Sequence, residues 1–348
     1  MTLDSESLSP SFAAAELRRF LEQLFVAAGT PDAHARMVVD HLIDASLVGL
    51  HSHGIIRVPD YLDAVSAGRV DPAAEPIVVD DGPVLVLDAR GCFGQVAGEA
   101  VVEAATERAT TGGTALVALR KAGHLGRIGA YVEELARRGF VAAAFCSVPT
   151  RFHNVAWFGT RDGRLGTNPI AYACPTGGEP VVADFSTSAI PEGRVRYLRN
   201  QGSPAPAGVL HDARGEPTTD PNVLYRAPTG TLLPLGGEAL GHKGSALGMF
   251  VEVMATLLAG ERADDPDRDN NLTALAFAPP AGFDARAAAL VDYIHAAAPI
   301  DPARPPLVPG EPEARARAAA ERVLVDAATW KAITERARAL DVRPIIPA

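Results

Sequence analysis

The sequence predicts a mixed α/β fold with α+β character, and three observations carry that prediction. The first 70 residues show apolar residues at helical spacing. From about Ile77, short β-branched runs alternate with helical stretches. No two of the 32 glycines are separated by a single residue, so the GxGxxG turn of a Rossmann unit is absent and a nucleotide site here must be non-Rossmann. At 348 residues the chain exceeds the usual size of a single core, which predicts two domains.

Each element follows from its own pattern. Phe12 to Ala28 places Leu17, Phe20, Leu21 and Leu24 on one helical face, and Gly29 ends it. Thr30-Pro31-Asp32 supplies an N-cap, a first-turn proline and an acidic first turn for a second helix through Val38, Val39, Leu42 and Ile43 to Gly49. Apolar runs at Ile77–Val79, Val84–Leu87, Ala115–Leu119, Val141–Phe145, Ile170–Ala173 and Val181–Ala183 read as strands. Gln95–Thr111 and Ile128–Arg138 read as the helices between them. Ala189 to Gly237, rich in Pro, Gly and Asp, reads as long ordered loops, and Gly244 to Leu258 as a helix. The C-terminal third is Ala-rich and helical around the proline cluster Pro299–Pro312, and it can pack back on the N-terminal helices.

Composition excludes several classes of function. A net charge of −10 and an acidic pI oppose a nucleic-acid partner, which needs a basic footprint, and also oppose an anionic membrane surface. Met1 to Pro10 is polar and acidic, without the pattern of a signal peptide. The longest apolar segment, Gly244 to Gly260, is interrupted by Glu252 and too short to cross a bilayer. Cys92, Cys146 and Cys174 are odd in number and lack CxxC spacing, which suits reduced thiols in a cytoplasmic protein and no zinc site.

Walker A, GxSxG and HExxH sequences are absent. Four glycine-rich constellations are present. In Leu50-His51-Ser52-His53-Gly54-Ile55-Ile56-Arg57, Ser52 is placed as the N-cap of a short helix that Pro59 interrupts. That turn sets His53 and Arg57 on one face. A histidine suits proton transfer near neutrality, an arginine can grip a carboxylate through two hydrogen bonds, and Ser52 can orient the imidazole. A packed histidine beside a surface arginine is the plainer alternative, and a His51/His53 metal pair lacks companion ligands. Gly123-His124-Leu125-Gly126-Arg127-Ile128-Gly129 joins a strand to a helix, where free amides and Arg127 can bind an anion, or simply make a tight turn. The third is Gly166-Thr167-Asn168-Pro169, followed by Asp184-Phe185-Ser186-Thr187-Ser188. The fourth, Gly241-His242-Lys243-Gly244, opens a helix where Lys243 can meet a phosphate.

Taken in order, these segments resemble the malate/L-lactate dehydrogenase family of the non-Rossmann type. That family includes ureidoglycolate and sulfolactate dehydrogenases, diketogulonate reductase and piperideine/pyrroline-2-carboxylate reductase. The matching pieces include Ser52-His53-Gly54 with Arg57, Gly68-Arg69, Gly123 to Gly126, Gly166 to Pro169, Asp184 with Thr187-Ser188, Asp212 with Gly215, and Pro217 to Pro221. Further on come Leu233-Pro234, His242-Lys243-Gly244 and Pro309-Gly310-Glu311. The resemblance implies a homodimer with a largely antiparallel cofactor-binding sheet flanked by helices (76–284) and a helical domain built from both termini (1–75 with 285–348). It implies NAD or NADP as cofactor. His53 is then the proton donor with Ser52 as its relay, and Arg57 holds the substrate carboxylate with Thr167, Gly193 and Arg194 nearby. His124, Leu125, Gly126, Arg127, Ile128, Asp184, Phe185, Ser186, Lys243, Gly244 and Gly310 line the cofactor. In ureidoglycolate dehydrogenase the histidine matching His124 is favoured for proton transfer, so His124 stands as a second candidate. Phe185 stands where the family often has methionine, an apolar exchange.

The implied reaction moves a hydride between the cofactor and a small 2-oxo acid, with a cyclic 2-imino acid as the alternative substrate. An inactive member retained for binding is a third reading. The imino-acid reductases carry an acidic residue where Arg194 aligns, so Arg194 favours an oxo acid, including one with a second anionic group.

Overall fold

In the computed structural model, residues 10–347 are described. The segment Met1–Ser9, which holds nearly all of the stretch read above as lacking a signal peptide, lies outside them. Strand β1 (Ser11–Ala13) leads into helices α1 (Ala14–Ala27) and α2 (Asp32–Leu47). Two 3₁₀ turns, His51–His53 and Ile55–Arg57, then precede α3 (Val58–Ser66). The chain continues through β2 (Ile77–Asp81), β3 (Leu85–Asp88), α4 (Gly94–Gly112), β4 (Thr114–Ala122), α5 (Gly129–Arg137) and β5 (Val141–Ser147). Next come β6 (Val155–Ala156), β7 (Gly163–Leu165), β8 (Ile170–Cys174), β9 (Val181–Phe185), α6 (Glu192–Asn200), β10 (Leu210–His211), β11 (Pro217–Thr218) and β12 (Thr231–Leu232). Helix α7 (Gly237–Glu252) runs on into a π-helical turn, Val253–Leu257, and β13 (Asn270–Phe277), α8 (Phe283–His295), α9 (Glu311–Ala319), β14 (Arg322–Leu324) and α10 (Ala327–Ala339) complete the chain.

The main sheet has the order β2-β3-β4-β13-β5-β8-β9, and every neighbouring pair is antiparallel except β3 with β4. The expected mixed, largely antiparallel architecture is what the chain forms. All six apolar runs are strands of this sheet. Its centre, β13, escaped the sequence reading. Asn270, Asn271 and Thr273 are buried there among Leu272, Ala274 and Ala276, so neither alternation nor a β-branched run marks it.

One face of the sheet carries α4 and α5, and α7 with its π turn covers part of the other. The terminal helices join the α4 side. Phe12, Leu17, Leu24, Leu42, Phe93, Leu119, Ile333 and Ala337 belong to one continuous buried cluster. Pairing of β1 with β14 and the ion pair Arg336–Asp63 bring the two ends of the chain together. The boundaries after 75 and 284 stay as a proposal, since one core runs across them.

A smaller sheet, β11-β10-β12-β6-β7, and α6 build the other wall of the site. Here the loop reading of 189–237 is corrected. Glu192–Asn200 is a helix, which was hidden by its four charged side chains and low apolar content. Three further expectations shift. Pro31, not Thr30, is the N-cap of α2, and the Thr30 hydroxyl is buried without a partner among the described residues. Ser52 sits inside a 3₁₀ turn and caps nothing. Helix α7 begins at Gly237, so Gly241-His242-Lys243-Gly244 lies inside it rather than at its start.

Candidate active site

Serine 46 on α2 holds the 51–57 turns in place. Its Oγ donates to the Leu42 carbonyl (3.0 Å) and accepts from the Ile55 amide (3.1 Å). Within the turns, Ser52 Oγ lies 2.9 Å from His53 Nδ1, and Arg57 Nε donates to the Ser52 carbonyl (2.7 Å). The expected trio is therefore one hydrogen-bonded unit. Arg57 Nη1 reaches Asp60 (3.4 Å), and Nη2 makes no hydrogen bond among the described residues.

Across from this unit stands His124, at the end of β4. The two imidazoles are nearly parallel, 5.7 Å between centroids, and both line a cleft of about 1410 Å³. Gly94 permits the approach: a methyl there would collide with the His124 carbonyl. Tyr61 on α3 contacts His124 Nδ1 through its hydroxyl (2.8 Å), and Gln95 Nε2 donates to that hydroxyl (2.9 Å) and to the His124 carbonyl (3.3 Å).

The cleft is electrostatically positive near the histidines. Burial first, then Arg57, His41, Arg127 and Arg196, pulls His53 down to about 3. Burial and the Arg57 guanidinium likewise hold His124 well below the ordinary histidine range. Both rings are neutral in this state.

Helix α6 supplies the facing wall. Glu192, Gly193, Arg196 and Arg199 line the cleft, and Arg196 shares Asp60 with Arg57 (3.2 Å). Arg194 does not line it. Its side chain is exposed and stacks over Tyr197 (5.1 Å), because a helix turns it away from positions 192, 196 and 199. The cation that the sequence assigned to Arg194 is provided by Arg196. The i, i+4 pair Glu192/Arg196 would have revealed this if the segment had been read as helical. Tyr61, one turn beyond Arg57, was likewise legible as a same-face neighbour. Thr167 lines the cleft as expected, next to Asn168 at a φ of 33°.

The 123–129 turn differs from the expected anion site. Three of its amides are already engaged: Gly126 N–H with His124 Nδ1 (3.3 Å), Arg127 N–H with His41 Nε2 (2.9 Å), and Gly129 N–H with Asp184 Oδ2 (2.7 Å). The Asp184 carboxylate thus caps α5, and burial raises it to about 6. The Arg127 guanidinium is buried in an ion network with Glu133 (2.6 Å) and Asp44 (3.2 Å), which Arg317 of α9 completes. It is therefore not a free phosphate ligand. Leu125 and Ile128 are buried beside it.

Arg127, Asp184 and Gly310 do meet, lining a cavity of about 20 Å³. That is room for about one water, so this cavity as it stands takes no part of a nucleotide. Phe185 is exposed at the end of β9, and Ser186 bonds the Ser188 carbonyl (3.1 Å). Lys243 and Gly244 line neither cavity. Among the described residues no cluster of metal-ligating side chains occurs, and no helix is long and apolar enough to cross a membrane.

The malate/L-lactate dehydrogenase family profile matches residues 12–334. The chain belongs to that family. It is 37% identical over 340 residues to an L-lactate dehydrogenase of Cupriavidus necator, with 93% of this chain and 96% of the relative covered. Hydroxycarboxylate dehydrogenase B of Escherichia coli K12 is 35% identical over 343 residues, covering 94% and 93%. The crystal structure of the Δ1-piperideine-2-carboxylate reductase of Pseudomonas syringae superposes with a TM-score of 0.81 at 31% identity, covering 94% of this chain and 99% of that one. The chain is accordingly an oxidoreductase, and the chemistry of the family implies a nicotinamide cofactor. The large cleft has space for a nicotinamide beside both imidazoles.

Proposed function

We propose that this chain interconverts a small 2-hydroxy acid and its 2-oxo acid, using NAD or NADP. One observation carries this reading: two neutral imidazoles and the Arg57/Arg196 pair face the same cleft. The nicotinamide, when bound, supplies the hydride acceptor or donor. The protein does the rest. Arg57, fixed through Nε to the Ser52 carbonyl, offers its free edge to the substrate carboxylate. In oxidation, neutral His53 takes the hydroxyl proton while Ser52 holds its other nitrogen. In reduction, His53 must arrive protonated. Burial and arginine repulsion hold His53 neutral, and the negative charge of a bound carboxylate would offset that repulsion and favour the proton.

A cyclic 2-imino acid is the second reading, favoured by Glu192 in the cleft wall. Glu192 accepts a hydrogen bond from Tyr225 (2.6 Å) beside Arg57 and Arg196, which suits an oxo acid better than a cationic imine. We place Leu125, Asp184, Phe185, Ser186 and Gly310 along the rest of the cofactor, with the small cavity opening to receive it. We infer a homodimer. Leu247, Met249, Phe250, Val253 and Leu257 leave an apolar face of α7 and its π turn exposed, and a second copy would cover it. We also place the protein in the cytoplasm, in keeping with three free cysteines.

The test is a panel of lactate, malate and sulfolactate in oxidation and of pyruvate, oxaloacetate and piperideine-2-carboxylate in reduction, with both cofactors. His53→Ala should bind cofactor normally and lose about 10²–10⁴-fold in turnover. A fully active His53→Ala protein overturns the assignment of His53, and imine turnover alone overturns the oxo-acid reading.

A further inference from the structure

The two histidines facing the cleft have different surroundings, and the difference decides what each ring can do. A backbone N–H can only donate, so the Gly126 amide at 3.3 Å makes His124 Nδ1 an acceptor. The Tyr61 hydroxyl points the same way. Gln95 Nε2 donates to the Tyr61 oxygen at 2.9 Å, and its second contact, to the His124 carbonyl, fixes which end of the amide faces this cluster. The single hydroxyl hydrogen of Tyr61 then has two acceptors in reach, His124 Nδ1 at 2.8 Å and the His124 carbonyl at 3.4 Å, and the much shorter contact assigns it to Nδ1. Burial pushes Tyr61 up to about 12, so it keeps that hydrogen throughout the working range. Two donors converge on Nδ1, and the ring proton must sit on Nε2. That nitrogen has no protein partner among the described residues, on a ring that lines the cleft.

We propose that Tyr61 and the Gly126 amide lock His124 as its neutral Nε2–H tautomer, so that His124 donates a hydrogen bond to the reacting substrate oxygen and leaves proton transfer to His53. This rests on the hydroxy-acid reading of the cleft. Tyr61 is a positioning residue in this scheme, and Gln95 positions Tyr61.

The contrast with His53 is chemical. Among the described residues its Nδ1 meets only a serine hydroxyl, which can either donate or accept. His53 can therefore hold a proton on Nδ1, present Nε2 as a base, and become doubly protonated without losing a partner. A second proton on His124 would have to enter at Nδ1, against two N–H and O–H donors. The other charged or titratable groups acting on it, Arg57, His53, His41 and Arg196, oppose it as well. In oxidation the substrate's C2–H electron pair leaves as hydride to the nicotinamide and the O–H proton passes to His53. As C=O forms, the partial negative charge on that oxygen is met by the His124 Nε2–H. A neutral imidazole is suited to that role because it polarises the oxygen without exchanging its own proton.

Tautomer and turnover are tested separately. Protein labelled with ¹⁵N-histidine, with the His124 signal assigned by its loss in His124→Gln, should show Nε2 protonated and Nδ1 bare from pH 8 to pH 5.5. In Tyr61→Phe that Nδ1 signal should move toward the protonated range. In kinetics, glutamine keeps an N–H near the Nε2 position, so His124→Gln should stay within about tenfold of wild type. His124→Ala should lose about 10²–10³-fold, as expected for one lost oxyanion donor. The acid limb of the kcat/KM–pH profile should be the same in His124→Gln as in wild type. A His124 protonated on Nδ1, or a His124→Gln enzyme as dead as His124→Ala, overturns the proposal. Should wild type turn over no hydroxy or oxo acid while the NMR spectrum shows the locked tautomer, the substrate reading fails and the tautomer assignment stands.

Discussion

Gly193→Ala is a small change for which intrinsic propensity and the site geometry predict opposite outcomes. Gly193 lies in the first turn of α6, is buried, and has no unusual φ, so the backbone tolerates alanine. Helix propensity alone predicts a gain of about 1 kcal/mol. The added methyl, however, would stand 2.5 Å from Ser52 Cβ and 3.5 Å from Arg57 Nη2. Carbon atoms pack at about 3.5–4.0 Å, so Ser52 or α6 must move by about 1 Å. Overpacking of this kind costs about 1–3 kcal/mol, leaving a net loss of up to about 2 kcal/mol. Because Ser52 holds His53 at 2.9 Å, the same displacement misaligns the base and should lower kcat/KM about 10²-fold. Steady-state kinetics beside thermal unfolding, with exposed Asn200→Ala on the same helix as control, reads both effects. A Gly193→Ala protein with raised Tm and wild-type kcat/KM would show that α6 does not set the position of Ser52.

Two further outcomes follow from the same geometry. Arg57→Lys keeps the charge but cannot bond both the Ser52 carbonyl and a carboxylate, so kcat/KM should fall about 10–100-fold, carried mainly by KM; an unchanged KM for the acid would remove Arg57 from the substrate site. Burial lowers His41 to about 4 and His53 to about 3, so below pH 6.5 the unfolded chain takes up protons that the native state refuses. Stability present above pH 6.5 should therefore be lost on acidification, about 1 kcal/mol per histidine by pH 5.5. Asp184, raised to about 6, works in the opposite sense, so the decisive measurement is the slope of Tm with pH in His53→Gln, which should be shallower than in wild type. Equal slopes would contradict the burial of a neutral His53.

What the sequence reveals of this fold depends on how each element is buried. Helices α1 and α4 and five of the six strands with apolar runs show their patterns because one stripe or both faces must be apolar to reach the core, whereas β2 carries its run exposed at the sheet edge. Strand β13 is equally buried, yet part of it is asparagine and threonine held inside the protein, and burial of that kind leaves no hydrophobic pattern. Helix α6 fails for the complementary reason. Its apolar contact is limited to Val195 and a half-buried Leu198, while Glu192, Arg196 and Arg199 face a cleft rather than a core. Sequence periodicity detects burial against other protein, and a helix whose business is a cavity is inconspicuous to it.

The site divides along the same line. Ser52, His53 and Arg57 were legible because they interact within one short stretch, where spacing determines contact. The partners that give His124 its character come from α3, α4 and the glycine turn, up to 63 residues away in sequence, and no local pattern links them. The same applies to Arg127: the turn pattern suggested an anion site, but the carboxylates of Glu133, Asp44 and Asp184 come from three other elements and fill it from within. Two histidines that the sequence offered as first and second candidates for the same proton are thus given different roles by their distant partners. His53 keeps the freedom to gain and lose a proton because its side-chain partner among the described residues is a hydroxyl, whereas His124 has surrendered that freedom to Tyr61 and a backbone amide.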